Sequence, residues 1–273
     1  MSLPGPLAGA LGAESAERVS GGCIHACFRA RIRGRERFLK INDPAFAAAF
    51  AAEADGLAAL RAAGASVPEP LQHGVAGGKA YLMLNYLELD EHGDFSALGA
   101  MLAGTHRTAG TRFGWHADNY IGTTLQRNAW RSDWSRFWRE QRLQPQLELA
   151  RRNGYRLEAE PVLGLIEGHR PQPALVHGDL WRGNVGFTKD GPVLFDPAVY
   201  FGDREVDLAM SELFGGFPAE FYSAYREAFP LEPGYESRKA FYNLYHLLNH
   251  LNLFGAGYLA QVQATLRLLL DSL

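Results

Sequence analysis

Apolar and polar positions change period several times along this chain, and each change marks an element. Residues 5–17 read as a short helix. From Ile24 to Ile32 the side chains alternate through His25, Ala26, Cys27, Phe28, Arg29, Ala30 and Arg31, which predicts a strand ended by a turn at Gly34. Arg37-Phe38-Leu39-Lys40-Ile41 is the next strand. The period then becomes helical. Phe46, Phe50, Glu53, Leu57 and Leu60 fall on one face, Pro44 opens the helix, and Gly64 ends it after Ala63. Two more strands follow near 71–75 and 80–86, separated by Gly77-Gly78.

Beyond residue 86 the pattern is mostly helical. Trp130, Trp134, Phe137 and Trp138 form the core face of one helix. The exceptions are the apolar strand Ala174-Leu175-Val176 and a hairpin. In that hairpin Val185–Thr188 and Pro192–Phe195 are joined by Lys189-Asp190-Gly191. The expected fold is α+β with two lobes. Residues 1–86 form a small antiparallel-sheet lobe with one main helix, and residues 87–273 form a larger, mainly helical lobe. Leu87–His92 is the hinge.

Composition narrows the partners. A net charge of −3 without a dense Lys/Arg tract argues against nucleic acid. No apolar run is long enough to span a bilayer. MSLPGPLAGALG lacks the basic segment of a signal peptide. The two cysteines, Cys23 and Cys27, are too few for a secreted disulfide framework and too few for a zinc site. A cytoplasmic protein is expected.

The chemistry is concentrated in LVHGDLWRGN and the following VLFDPA. His177-Gly178-Asp179, with Asn184 five residues after the aspartate, has the H-x-D-x-x-x-x-N spacing of the protein-kinase catalytic loop. Phosphoryl transfer uses such parts: a carboxylate to take the proton of the attacking hydroxyl, and oxygen ligands for Mg²⁺ on the nucleotide phosphates. Asp179 fits the base, and Asn184 and Asp196 fit the metal ligands. A chance HGD in a surface turn is the plainer alternative, but the preceding strand and following hairpin argue against it. With ATP as the phosphoryl donor, Lys40 on the third strand is the phosphate-binding lysine. Glu53 is its partner, chosen over Asp55 because Asp55 falls off the apolar stripe. Gly21 and Gly22 lie between two strands, where a phosphate-covering loop belongs. Asn85 to Leu87 would supply backbone groups for adenine.

LVHGDLWRGN, FDPAVYFGDREVDLAM, ELFGGFP, NLYHLLNHLNLFGAGY, FGWHADNYIG, WSRFWREQRLQPQLELA and GGCI together resemble the fructosamine kinase (ketosamine-3-kinase) family. The resemblance runs from about residue 18 to 270. It implies ATP- and Mg²⁺-dependent phosphorylation of a ketosamine, free or protein-bound, chiefly at the 3-hydroxyl, in deglycation. HADNYIG implies a bacterial-type member, favouring ribulosamine or erythrulosamine over fructosamine. Trp181, two residues past the base, would stack on the sugar or the cationic amine, or simply steady the loop. His177 is expected to be structural. Asp207, on a helix beginning near Asp203, is expected to accept N–H groups of the catalytic loop. The irregular stretch from Thr105 to Asn128 holds His106, His116, Asp118 and Asn119. It is expected to line the acceptor site, with His116 as the candidate contact. The GGCI resemblance implies a redox-dependent dimer through Cys23, with Cys27 either a buried core thiol or a competitor for oxidation. The main alternative is an aminoglycoside- or choline-kinase-type enzyme acting on another alcohol.

Overall fold

A computed structural model describes residues 2–19 and 24–273. Gly21, Gly22 and Cys23 lie outside the described residues. The chain divides into two compact units. One comprises Met1–Asp94 and Val185–Asp196, and the other comprises Phe95–Asn184 and Pro197–Leu273.

The first unit opens with helix α1 (Gly5–Leu11), shorter than the expected 5–17. Gly12 adopts φ 66° and returns its N–H to the carbonyls of Ala8 and Gly9. This left-handed cap is cheap only without a Cβ. The chain leaves it as strand β1 (Ala13–Arg18), whose mostly polar residues suit a sheet edge. Strands β2 (Ala26–Ile32) and β3 (Arg35–Asn42) follow. A turn at Pro44–Phe46 then leads into helix α2 (Ala47–Ala62), and strands β4 (Pro70–Ala76) and β5 (Lys79–Asn85) complete the sheet. The order is β1-β2-β3-β5-β4, antiparallel throughout.

Alternation sorts the side chains of this sheet to two faces. Phe28, Leu39, Ile41, Tyr81 and Met83 pack with Leu7 and Leu11 of α1. Phe38, Ala80, Leu82 and Leu84 pack with Phe50, Ala54 and Leu57 of α2. Fully burying a side chain such as Leu57 or Phe50 contributes roughly 1.5–3 kcal/mol. By parity Lys40 falls on the α2 face, a buried cation that needs an acid from that helix.

The second unit contains α3 (Phe95–His106), β6 (Asn119–Ile121), β7 (Thr124–Gln126), α4 (Trp134–Trp138) and α5 (Gln144–Arg152). A wide π turn at Arg139–Leu143 joins α4 to α5. Pro145 just beyond it has no N–H to give the previous turn, which accounts for the widening. Strand β8 (Ala174–Val176) follows. The chain then visits the first unit as β9 (Val185–Thr188) and β10 (Gly191–Leu194), and returns as β11 (Tyr200–Gly202), which pairs with β8. Helices α6 (Glu205–Leu213), α7 (Ala219–Ala228), α8 (Tyr235–Phe254) and α9 (Leu259–Leu270) complete it. Trp134, Phe137 and Trp138 are fully buried among Tyr200, Tyr242 and Leu248. Trp130 does not share that face. It precedes the helix, is half-buried, and stacks on Phe201 at 6.4 Å.

The β9–β10 hairpin belongs to the first unit because residues of that unit hold it. Asp90 and Phe187 exchange backbone hydrogen bonds of 2.7 and 2.9 Å, and the Leu194 N–H donates to the Ser66 carbonyl at 2.9 Å. The units are therefore not two contiguous stretches divided at residue 86.

Candidate active site

In the first unit, β3 and α2 bring Lys40 and Glu53 together, with Nζ to Oε1 at 2.7 Å. The same ammonium contacts the Asp196 carboxylate, just past β10. Burial alone would pull the lysine pKa down, but Asp196 and Glu53 reverse this and hold it above its ordinary value. One cation faces two acids here. Burial therefore prevails at Glu53, with help from Asp196 against the pull of Lys40, and its pKa is pushed up to about 6. Asp196 adopts φ 56°, a left-handed backbone that aspartate tolerates better than most residues. Cys27 is the cross-strand partner of Lys40. Burial pushes its thiol up to about 11, so it is a core thiol rather than a ready thiolate. Cys23 lies outside the described residues. The Asn85 N–H is committed to the Glu69 carbonyl at 3.1 Å. Leu87 is half-buried beyond the end of β5.

In the second unit, β8 delivers the chain into the HGD turn. Gly178 has φ 82°, and a Cβ there would lie 2.1 Å from the Ala198 carbonyl oxygen, so no other residue fits. Asp207 on α6 accepts the N–H groups of His177 at 2.6 Å and Gly178 at 2.8 Å. It also pairs with His106 Nε2 at 3.1 Å. Burial pushes Asp207 up, but His106, His177 and these donors hold it below the usual carboxylate range. His177 is fully buried, and its Nδ1 accepts the Asp179 N–H at 3.3 Å. That is a structural use of the ring. Asn184 Nδ2 donates to the Asp179 carbonyl at 2.8 Å and lies 3.3 Å from its carboxylate. The amide is thereby oriented, with Oδ1 left as its acceptor end. Asn184 and Asp196 each end in a hard oxygen donor of the kind Mg²⁺ takes.

Trp181 is half-buried and covers Gly183, where a Cβ would meet the indole at 2.4 Å. Its ring begins an aromatic wall that the sequence reading did not anticipate. Phe214 lies 6.2 Å from Trp181, and His250 lies 4.7 Å from Phe214. Tyr258 and Phe254 extend the wall at 5.1 and 5.5 Å from His250. His250 Nδ1–H donates to the His246 carbonyl at 2.8 Å, which leaves Nε2 as an acceptor. The signal lay in NLYHLLNHLNLFGAGY, where His250, Phe254 and Tyr258 recur at i, i+4 and i+8.

The stretch from Thr105 to Asn128 is less open than expected. Thr105 and His106 close α3, and His106 is buried with its other nitrogen on the Tyr225 hydroxyl at 2.8 Å. Asn119 and Asn128 are buried in a network with Gln126 and Arg142. His116 is exposed, 4.9 Å from the Trp115 ring. Asp118 is also exposed but accepts the Asn128 N–H. His169, Asp203 and Glu205 gather within 4.8 Å, yet the acids already have partners. His169 and Tyr242 satisfy Asp203, and Arg238 grips Glu205 with two 2.7 Å bonds.

A five-stranded antiparallel sheet carrying a Lys–Glu pair, and a helical unit carrying the HGD…N loop, define a protein-kinase-like phosphotransferase. An aminoglycoside phosphotransferase shares the fold at TM-score 0.63 and 17 % identity, over 99 % of each chain. The particular group is narrower. The fructosamine kinase family model matches residues 7–272. A Synechocystis protein named as a probable ketoamine kinase is 46 % identical over 91 % of this chain and 88 % of its own. A Haemophilus somnus protein, solved as a candidate fructosamine-3-kinase, superposes at TM-score 0.89 with 30 % identity, over 98 % of this chain and 97 % of its own. The chain belongs to the fructosamine kinase family and is an ATP-dependent phosphotransferase.

Proposed function

We propose that this enzyme phosphorylates a sugar hydroxyl of ketosamines, chiefly the 3-hydroxyl of ribulosamine or erythrulosamine adducts, and so serves deglycation. The observation that carries this reading is Trp181, held against Gly183 two residues from Asp179 and continued by Phe214, His250 and Tyr258. An indole face suits a sugar ring or a cationic amine. The aromatic wall beyond it suits the amine carrier, free or protein-bound. His116 is a further candidate contact for the acceptor.

Asp179 is the base. Its N–H rests on His177 and its carbonyl on Asn184, so the carboxylate presents a fixed oxygen to the acceptor hydroxyl. Lys40, oriented by Glu53, binds nucleotide phosphate. Leu87 contributes hinge backbone for adenine. Asn184 and Asp196 would hold Mg²⁺, which supplies charge neutralisation at the phosphates. In-line transfer then depends on positioning more than on covalent chemistry.

The test is an acceptor panel with ATP: ribulosamine, erythrulosamine and fructosamine adducts of lysine, beside kanamycin and choline, with ³¹P NMR to locate the phosphate. The reading expects an O3 phosphate on a ketosamine and no turnover of the other two. Preferential phosphorylation of kanamycin or choline would refute it.

A further inference from the structure

We propose that His25 is a positioning residue for the nucleotide, donating its Nε2–H to a phosphate oxygen of the triphosphate that Lys40 binds; this rests on the phosphotransferase reading.

Strand parity places it. His25 lies two residues before Cys27, whose cross-strand partner is Lys40, so all three share the α2 face of the sheet. Its ring meets Phe46 edge-on at 5.5 Å and packs against Phe50 at 4.8 Å. Two phenyl groups thus fix the plane of the imidazole.

The tautomer follows from Asn42. Its Oδ1 accepts the Asp43 N–H at 2.8 Å, which identifies that end of the amide as oxygen. Its Nδ2 donates to the Ile24 carbonyl at 3.2 Å, which identifies the other end as nitrogen. The same Nδ2 lies 3.0 Å from His25 Nδ1. A donor facing Nδ1 makes that nitrogen the acceptor, so the proton resides on Nε2. Among the described residues Nε2 takes no hydrogen bond.

The electrostatics agree with this geometry. Burial, and next the nearby Lys40 ammonium, hold the His25 pKa down at about 4, with Asp196 opposing them. The ring is therefore a neutral, single-donor group near the phosphate lysine. As a neutral donor it adds no second charge beside Lys40, and its hydrogen bond is strongest to an anionic acceptor.

Side-chain amides separate the two nitrogens. The Gln amide nitrogen reaches the place of Nε2, whereas the Asn amide nitrogen reaches only that of Nδ1. Calorimetric binding of ATP and of adenosine to wild type, His25→Gln, His25→Asn and His25→Phe tests the assignment. We expect ATP affinity to fall about tenfold in His25→Asn and His25→Phe, to stay within about threefold in His25→Gln, and adenosine affinity to be unchanged in all three. Equal losses for ATP and adenosine, or no loss in His25→Asn, would overturn the role. If the variants do not fold, long-range ¹H–¹⁵N spectra of wild type decide: a neutral Nε2–H tautomer whose Nε2 shift moves with ATP but not adenosine supports the proposal. An Nδ1–H tautomer, or an Nε2 shift indifferent to ATP, overturns it. Wild type that binds no ATP would instead overturn the phosphotransferase reading itself.

Discussion

Replacing Asp207 by Asn removes one acceptor oxygen and the charge while keeping the shape. The carboxylate accepts two backbone N–H groups, from His177 and Gly178, and pairs with His106, all buried. An amide satisfies one N–H with its oxygen and turns its NH₂ toward another donor. Leaving a buried donor unpaired costs about 1–3 kcal/mol, and weakening the buried contact to His106 adds to it, so we expect a destabilisation of about 3 kcal/mol. For a chain of this size that lowers the thermal midpoint by about 6–12 °C. The effect has a pH signature. The folded Asp207 pKa lies below its unfolded value, so its contribution is present above the unfolded carboxylate pKa of about 3.9 and is lost as pH falls through the folded value. The gap between wild type and Asp207→Asn should therefore be full at pH 7 and close below about pH 4. Urea unfolding at pH 7 and at stepped acid pH measures it. A difference under about 0.5 kcal/mol at pH 7 would refute the anchoring of the HGD turn by Asp207.

Lys40→Ala and Glu53→Ala should each lower kcat/KM and be non-additive by about 1–3 kcal/mol, because both break one buried pair; additive losses would mean that Lys40 is oriented by another acid. Trp181→Ala should raise the acceptor KM about tenfold or more while the ATP KM holds, since the loss is one aromatic contact to the sugar or amine; parallel changes in both would make the residue a loop support. Burial holds His246 down at about 3, so wild type should lose stability as pH falls from about 6.5, where the unfolded imidazole takes its proton. His246→Gln should flatten that acid slope by about 1.4 kcal/mol per pH unit, and an unchanged slope in urea titrations would show that His246 is not the group responsible.

Local pattern made much of this legible in the sequence. Alternation placed β2, β3 and β5, and the helical stripe that carries Phe50 and Leu57 carried Glu53 to Lys40 as well. Asp207 as the anchor of the catalytic loop came from the resemblance to the fructosamine kinase family, and its bonds to the His177 and Gly178 N–H groups agree with it. What escaped was set by long-range packing or by backbone conformation. Gly12 ended α1 early through a left-handed cap that a continuous Leu/Ala pattern hides. The β9–β10 hairpin joined the first unit through hydrogen bonds to Ser66 and Asp90, more than ninety residues away in sequence. The aromatic wall drew Trp181, Phe214 and His250 from three separate segments. His106 read as a polar loop residue because nothing local reveals a buried acid a hundred positions later.

Asp179→Asn compared with wild type is the most direct measurement of the central claim. Both proteins would be assayed for ATP-dependent phosphate incorporation into ribuloselysine, with ATP binding followed separately by calorimetry. The account predicts that wild type phosphorylates the adduct. It predicts that the variant binds ATP as wild type does, and that turnover falls by about 10²–10⁴-fold through loss of the base. Near-normal turnover in Asp179→Asn would contradict it.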